Sequence, residues 1–408
     1  MTVLWNARVI DGTGAPPRER SVVRIEAGRV SELSTADGAP PPGAIDVAGR
    51  TLLPGLIDAH AHVSSDTLRS PGFGPPPPLH GELPRPRALG YFILAKAARA
   101  MLDAGVTTVR DVGSYDDEGI ALREAVRLGI VDGPRILCCG RIISATAPGG
   151  AIFKTMYRES DGPDDMRLAV REQLRRGADF IKLMATGARS VVAEDPEPAQ
   201  MTAVECRAIV DEAHRLRIRV AAHAEGLDGA RLAVDEGVDT IEHGLSLHRE
   251  PSLLASMARR GIVLVPTLST FHDLADRFTD DFAPALVEQA KRQKEEAYST
   301  LVAARDAGVT LAMGHDSGPP GDNAIELVRM VDGGLTPLEG IVAATRGSAR
   351  ALGRDDLGTV SERAVADLLV VDGDPLTDIR VLNDAERVWL VVQSGKIVAG
   401  RGQGTISP

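Results

Sequence analysis

Cysteine is scarce in this chain: Cys138, Cys139 and Cys206 are the only three in 408 residues. An odd count without a CxxC spacing excludes a disulfide framework. It points to a reducing compartment in which all three are small packing residues. No uninterrupted apolar run reaches the ~20 residues that a membrane span needs, so no membrane partner is expected. The opening MTVLWNARVIDGTG has neither the basic nor the apolar stretch of a secretory leader, which makes the cytoplasm the expected location. Basic clusters are missing too. With a formal net charge of −11 and no basic patch, nucleic acid is not an expected partner. A small-molecule substrate remains, with self-association into a homo-oligomer left open.

What is present suits a (β/α)8 TIM barrel with a smaller satellite. Hydrophobic residues make up 43% and charged residues 25%, a balance that buries a large core in a soluble protein. The segments TVLWNARVIDG, SVVRIEAGRVSEL and AIDVAGRTLLPG alternate short β-type runs with turns, and the same texture returns in ADLLVVDGDP and RVWLVVQSGKIVAG. Residues 1–54 and 350–408 are therefore expected to form one composite β-sandwich domain. Over 55–349, apolar β-type runs alternate with amphipathic helical stretches such as TAVECRAIVDEAHRLR, the pattern of a parallel α/β architecture. Eight candidate strands are GLIDAHAH, TTVRDVG, RILCCG, FIKLMATG, RVAAHAEG, TIEHG, IVLVPTL and TLAMGHDSG. Eight units with no extra strand fit a closed barrel better than an open sheet. The Pro-rich stretch 71–87, PGFGPPPPLHGELPRPR, can be neither a regular helix nor a central strand. It reads equally as a stiff wall at the barrel mouth or as a surface loop carrying a solvated His80.

Chemistry-bearing residues fall at the strand ends. His60 and His62 stand two apart, which puts both imidazoles on one face of a strand and, in a barrel, toward the lumen. Imidazole is the usual neutral ligand of zinc and similar metals, although an HxH pair alone is a weak signal. Lys182 in FIKLMATG, His223 in AAHAEG, His243 in IEHG and Asp316 in GHDSG each interrupt an apolar run, where burial without a partner is costly. A shared metal centre at the C-terminal mouth of the barrel satisfies all of them.

With the flanking phrases LLPGLIDAHAH, GVTTVRDVG, IKLMATG, AAHAEG, IEHG, PTL, ATRGSARALG and ADLLVVDGDP, the chain resembles the amidohydrolase superfamily over essentially its whole length. The branch it resembles contains imidazolonepropionase and the Xaa-Pro dipeptidase-like enzymes. The resemblance implies two divalent metal ions, zinc foremost: His60, His62 and Asp316 on the more buried ion, His223 and His243 on the second. Lys182 matches a position that similar enzymes carboxylate with CO2 to bridge both ions. A buried lysine can lose its proton, and only the neutral amine reacts. The implied activity is hydrolysis of a C–N amide-type bond in a small molecule (a dipeptide, N-acyl amino acid or similar) by a hydroxide held between the metals. Asp316 would take the water proton and pass it to the leaving nitrogen. A cyclic or non-peptide substrate (lactam, imidazolone, carbamate or urea-like) is the alternative within the same chemistry. An inactive scaffold is the alternative of another class, against which stands the complete ligand set.

Two departures from dipeptidase-like relatives concern the substrate site. Glu225 stands where many carry Tyr, and Ala151 where many carry His, which puts a C-terminal dipeptide substrate in doubt. Glu225 is expected either to meet an amine, amide N–H or hydroxyl of the substrate or to pair with a loop arginine such as Arg189. Arg189 and Arg110 could hold a substrate carboxylate or pair with Asp111, Glu194 or another acid. His248 is a candidate for substrate contact or for loop capping, and His272 shares that ambiguity. His315 has the phase opposite to Asp316 and is expected to hydrogen-bond behind the ligands, as a further candidate near the substrate. His214, on a helical pattern, is expected at the surface.

Overall fold

The two ends of the chain both carry short β-type runs, and the pair that joins them, TLLP and LLVV, is buried on both faces. In the computed structural model, which describes residues 1–63, 88–277, 279–281, 283–316 and 318–402, both termini contribute to one sheet. Lys396–Ala399, Val388–Gln393, Leu368–Val371, Thr51–Pro54, Thr2–Val9, Arg18–Glu26 and Arg29–Thr35 are hydrogen-bonded in that order. The strand Leu368–Val371 runs antiparallel to Thr51–Pro54, with Leu369 opposite Leu53. Successive side chains of a strand point to opposite faces. Leu52, Leu368 and Val370 enter the sheet's own core with Leu4, Val23 and Leu390. Leu53, Leu369 and Val371 instead pack with Leu94, Met101 and Val106, which fixes the sheet to the barrel. Gly55 stands at the junction. A Cβ there would lie 2.3 Å from the Thr107 hydroxyl oxygen, so only glycine lets the first two barrel strands start this close together.

The barrel strands are Leu56–Ala61, Val106–Asp111, Arg135–Cys138, Ile181–Met184, Val220–Ala224, Thr240–His243 and Val263–Val265. The third is broken: Arg135–Cys138 pairs with the second, while its continuation Ile142–Ser144 pairs with the fourth. Residues 310–316 fill the eighth position. Ala312 N donates to Leu264 O at 2.9 Å, and Asp316 N donates to His60 O at 2.7 Å, so this segment joins the seventh strand to the first. Outward-facing Ile181, Leu183, Val220, Ala222, Ile241 and Leu264 pack beneath the helices Pro163–Arg176, Ala203–Arg215, Leu227–Glu236 and Pro251–Arg260. Thr202 and Glu205 close a capping box at the start of the second of these helices, which fixes where it begins.

The expectation of no strand beyond the eight needs correction. Tyr157–Glu159 lies parallel to Ile142–Ser144, with Tyr157 opposite Ile142. Pro148 opens a short helix, Pro148–Phe153, and the chain then returns alongside the broken third strand. The three cysteines are buried and unbonded, as packing residues. Among the described residues no helix is long and apolar enough to cross a membrane. The stretch 71–87 and His80 lie outside the described residues.

Candidate metal centre

Inward positions of the barrel strands carry charge where hydrocarbon would be expected. Arg110, Lys182 and Glu242 alternate with outward Val109, Leu183 and Ile241, and all three are at most 3% exposed. Arg110 donates to Glu242 Oε1 at 2.7 Å and also to the Ala59 carbonyl and Thr240. Glu242 Oε2 accepts from His60 Nδ1 at 2.7 Å. Burial alone would raise the Glu242 carboxyl, but Arg110 and Lys182 outweigh it and hold it well below the usual carboxylate range. For Lys182 burial wins instead, although Glu242 and Asp316 favour its charge. Its Nζ is buried without a hydrogen-bond partner among the described residues, and burial pushes its ammonium down to about 8.

Four imidazoles and a carboxylate converge at the mouth end. Ring centroids are 5.6 Å apart for His60 and His62, 5.0 Å for His60 and His243, and 4.4 Å for His223 and His243. Asp316 Oδ1 lies 3.4 Å from Nε2 of both His60 and His62. One ligand atom each from His60, His243 and Asp316 lie within 4.8 Å of one another. The Nδ1 sides are engaged at 2.7 Å: Glu242 at His60, the Gly113 carbonyl at His62, and Thr267 Oγ1 at His243. Such contacts orient metal-binding rings and direct Nε2 to the centre. His223 is turned the other way, its Nε2 at 3.2 Å from both Glu225 Oε1 and the Gly187 carbonyl. Burial, then neighbouring positive charge, pushes His60 and His243 down, which keeps both as neutral lone-pair donors. Burial would raise Asp316, but His60, with His62 and His243, keeps its carboxyl well below the usual range. The neutral imidazoles of His60 and His243, an ionised carboxylate and an orphaned buried amine are a donor set that fits divalent metal.

Backbone conformation completes the cluster. Regular alternation would turn His243 outward with Ile241. A φ of 70° at His243 breaks the alternation and brings its ring to the lumen; Thr267 at 48° and Asp316 at 60° share this left-handed conformation. Strain of this kind persists only where surrounding contacts enforce it. Thr270 Oγ1 donates to Asp316 Oδ2. Glu326, on the helix Ile325–Asp332, holds the segment carrying Thr267 and Thr270 by accepting from the Leu268 and Ser269 amides at 2.8 and 2.7 Å. Asp58 accepts from the amides of His60 and His315 and from Asn323 Nδ2, joining the first and eighth strand ends. The sequence reading passes over Asp58, Glu242 and Glu326. The signal that singles out Lys182, a polar residue inside an apolar run, applies to Asp58 and Glu242 as well.

The other candidates make contacts of their own. His248 Nδ1 pairs with Thr300 Oγ1 at 3.0 Å, a loop-anchoring contact to the helix Pro284–Asp306. His272 Nε2 meets the Tyr298 hydroxyl at 2.7 Å, and exposed His214 pairs with Asp239 at 2.9 Å. His315 is buried, and its Nε2 has no partner among the described residues. Arg110 pairs with Glu242 rather than Asp111. Glu225 Oε2 accepts from Arg189 Nε at 2.9 Å, so the structure has the ion pair in place of a carboxylate left to meet substrate. Glu194 does not compete for Arg189, because its oxygens accept from the Gly149 and Ala188 amides at 2.6 and 2.7 Å.

Comparison with known proteins places these residues in context. The profile of the amidohydrolase family matches residues 51–398. An ochratoxinase of Aspergillus niger is 29% identical, the match covering 99% of this chain and 88% of that protein. An imidazolonepropionase of Paracoccus denitrificans is 27% identical, covering 87% of this chain and 88% of its own. Among solved structures, an Xaa-Pro dipeptidase with methionine bound in its active site superposes with a TM-score of 0.85 at 29% identity, covering 97% of this chain and 99% of that one.

Proposed function

The chain belongs to the amidohydrolase family, and from that premise we propose that it is a binuclear metal-dependent hydrolase of a C–N amide-type bond in a small molecule. The observation that carries the reading is the convergence of His60, His62, His223, His243 and Asp316 in a barrel whose lumen also holds the orphaned amine of Lys182. Two divalent ions bound there, zinc by the preference of these donors, would supply Lewis acidity and a water of pKa near ~7. His60, His62 and Asp316 would hold one ion and His223 and His243 the other. Lys182, as a carbamate, would be common to both. With its ammonium pushed down to about 8, Lys182 presents neutral amine to CO2 near neutral pH. Asp316 Oδ1 stands beside His60 and His62, where a carboxylate can take a proton from the attacking water and deliver it to the leaving nitrogen. Glu242, Gly113 and Thr267 hold three of the rings in place, and Arg110 compensates the charge of Glu242.

The dipeptidase that holds methionine favours an amide built on an amino acid as substrate: a dipeptide or an N-acyl amino acid. The imidazolonepropionase relative keeps an imidazolone, lactam or carbamate as the second reading. A screen of metal-loaded protein against dipeptides, N-acyl amino acids, lactams and carbamates decides between them. The reading predicts hydrolysis of at least one of the first two classes, abolished by chelation. Hydrolysis confined to lactams or carbamates selects the second reading, and no hydrolysis by fully metal-loaded protein contradicts both.

A further inference from the structure

Arg189 follows the fourth barrel strand, in TGARS, and is 4% exposed. A buried guanidinium has five N–H donors to satisfy, and leaving them unpaired is costly. Nε donates to Glu225 Oε2 at 2.9 Å. Nη1 and Nη2 are buried and have no hydrogen-bond partner among the described residues. The guanidinium is also held from the side by an aromatic ring, with Cζ 3.9 Å from the Phe271 centroid. Both supports belong to the candidate metal centre. Glu225 Oε1 is 3.2 Å from His223 Nε2, and Phe271 adjoins Thr270, whose hydroxyl donates to Asp316. The orientation of Arg189 is thus set twice, by an ion pair and by a ring, while its Nη1–Nη2 edge is left unpaired.

We propose that this edge binds a free carboxylate of the substrate, so that the site takes N-acyl amino acids or dipeptides by their anionic end. Nη1 and Nη2 offer two parallel N–H bonds, the arrangement that matches a carboxylate bidentately and that a neutral amide cannot match with equal charge. Glu225 then acts as a positioning residue. Its charge is absorbed by Arg189, which removes its repulsion of an anion, and its grip on Nε directs the fork. Which bond is cut rests on the hydrolase reading above; the recognition of a carboxylate does not.

The test compares N-acetyl-L-phenylalanine, N-acetyl-L-leucine and N-acetyl-L-methionine with their carboxamides. Each is titrated calorimetrically into the purified full-length protein and also offered as a substrate. For at least one pair the acid should bind about 10-fold or more tightly than the amide, and kcat/KM should follow the same order. Two variants separate the fork from a general attraction of anions to the metals. Arg189→Lys keeps a cation for Glu225 but loses the fork, and should lower the acid-to-amide ratio severalfold. The double variant Arg189→Gln with Glu225→Gln removes both charges together and should bring the ratio near one, through KM more than kcat. Equal binding of acids and amides by the wild type, no binding of any acid, or a ratio that survives in the double variant at an unchanged melting temperature overturns the proposal. The wild-type comparison decides even where a variant fails to fold. Acid-selective binding keeps the carboxylate site even where the full screen above finds no hydrolysis and the hydrolase reading falls, whereas hydrolysis without acid preference keeps that reading and overturns the carboxylate site.

Discussion

Asp316→Asn is expected to lower kcat by about 10²–10⁴-fold, the usual contribution of a positioned proton carrier, while the protein stays folded. The substitution removes the proton acceptor with little change of shape. Asparagine has the same size, and its amide oxygen can still accept from Thr270. It also tolerates the left-handed backbone that residue 316 adopts at φ 60°, so no strain is added. What disappears is the ionised oxygen that the surrounding histidines hold in its charged form. Metal content should fall less than in His60→Ala, because an amide oxygen remains a weak ligand while an alanine offers none. Steady-state kinetics with metal analysis on the same sample checks both halves. An unchanged kcat would contradict the assignment.

Lys182→Ala should lose one of two metal ions and reduce hydrolysis by at least about 10–100-fold, a loss that even outer-shell damage to a metal site produces. Formate or acetate should restore part of the activity by supplying carboxylate oxygens where the carbamate would stand. A structural role predicts something different. If Lys182 were kept for stability, its removal would destabilise the protein whatever its metal content. Its Nζ has no partner among the described residues and its charged form is penalised by burial. Metal-free Lys182→Met should therefore unfold no earlier than metal-free wild type. Full two-metal occupancy with a normal rate in Lys182→Ala would rule out the bridging role.

How much of this was legible in the sequence depended on the range of the interaction. His60, His62, Lys182 and His223 could be read directly, because polar residues at inward positions of apolar strands follow from a local period of two. The β-type texture shared by the two ends was legible as short apolar runs between turns, of which TLLP and LLVV, buried at every position, pair in the sheet. His243 was legible as a residue type but not as an orientation, since its place in the lumen depends on a φ of 70° that no spacing encodes. The pairing of His60 with Glu242 spans 182 residues and exists only once the barrel has closed, so the acid in IEHG could not be assigned to a histidine in IDAHAH. The break in the third strand was hidden for another reason. RILCCG reads as a complete strand, but the chain turns at its last residue, Gly140, with φ 72°, and resumes beyond it as Ile142–Ser144, which pairs with the fourth strand. For Glu225, phase left substrate contact and ion pairing open. The deciding fact was the position of the loop bearing Arg189, which the sequence does not print.

The central claim, a metal-dependent hydrolase, is tested most directly by following metal content and hydrolysis together through chelation and re-addition, in protein produced with ample zinc and bicarbonate. The account predicts about two divalent ions per chain, hydrolysis that is lost as they are removed, and activity that returns with them. A reproducible content of one ion in fully active protein would contradict the binuclear centre, and hydrolysis that survives complete removal of metal would contradict the account as a whole.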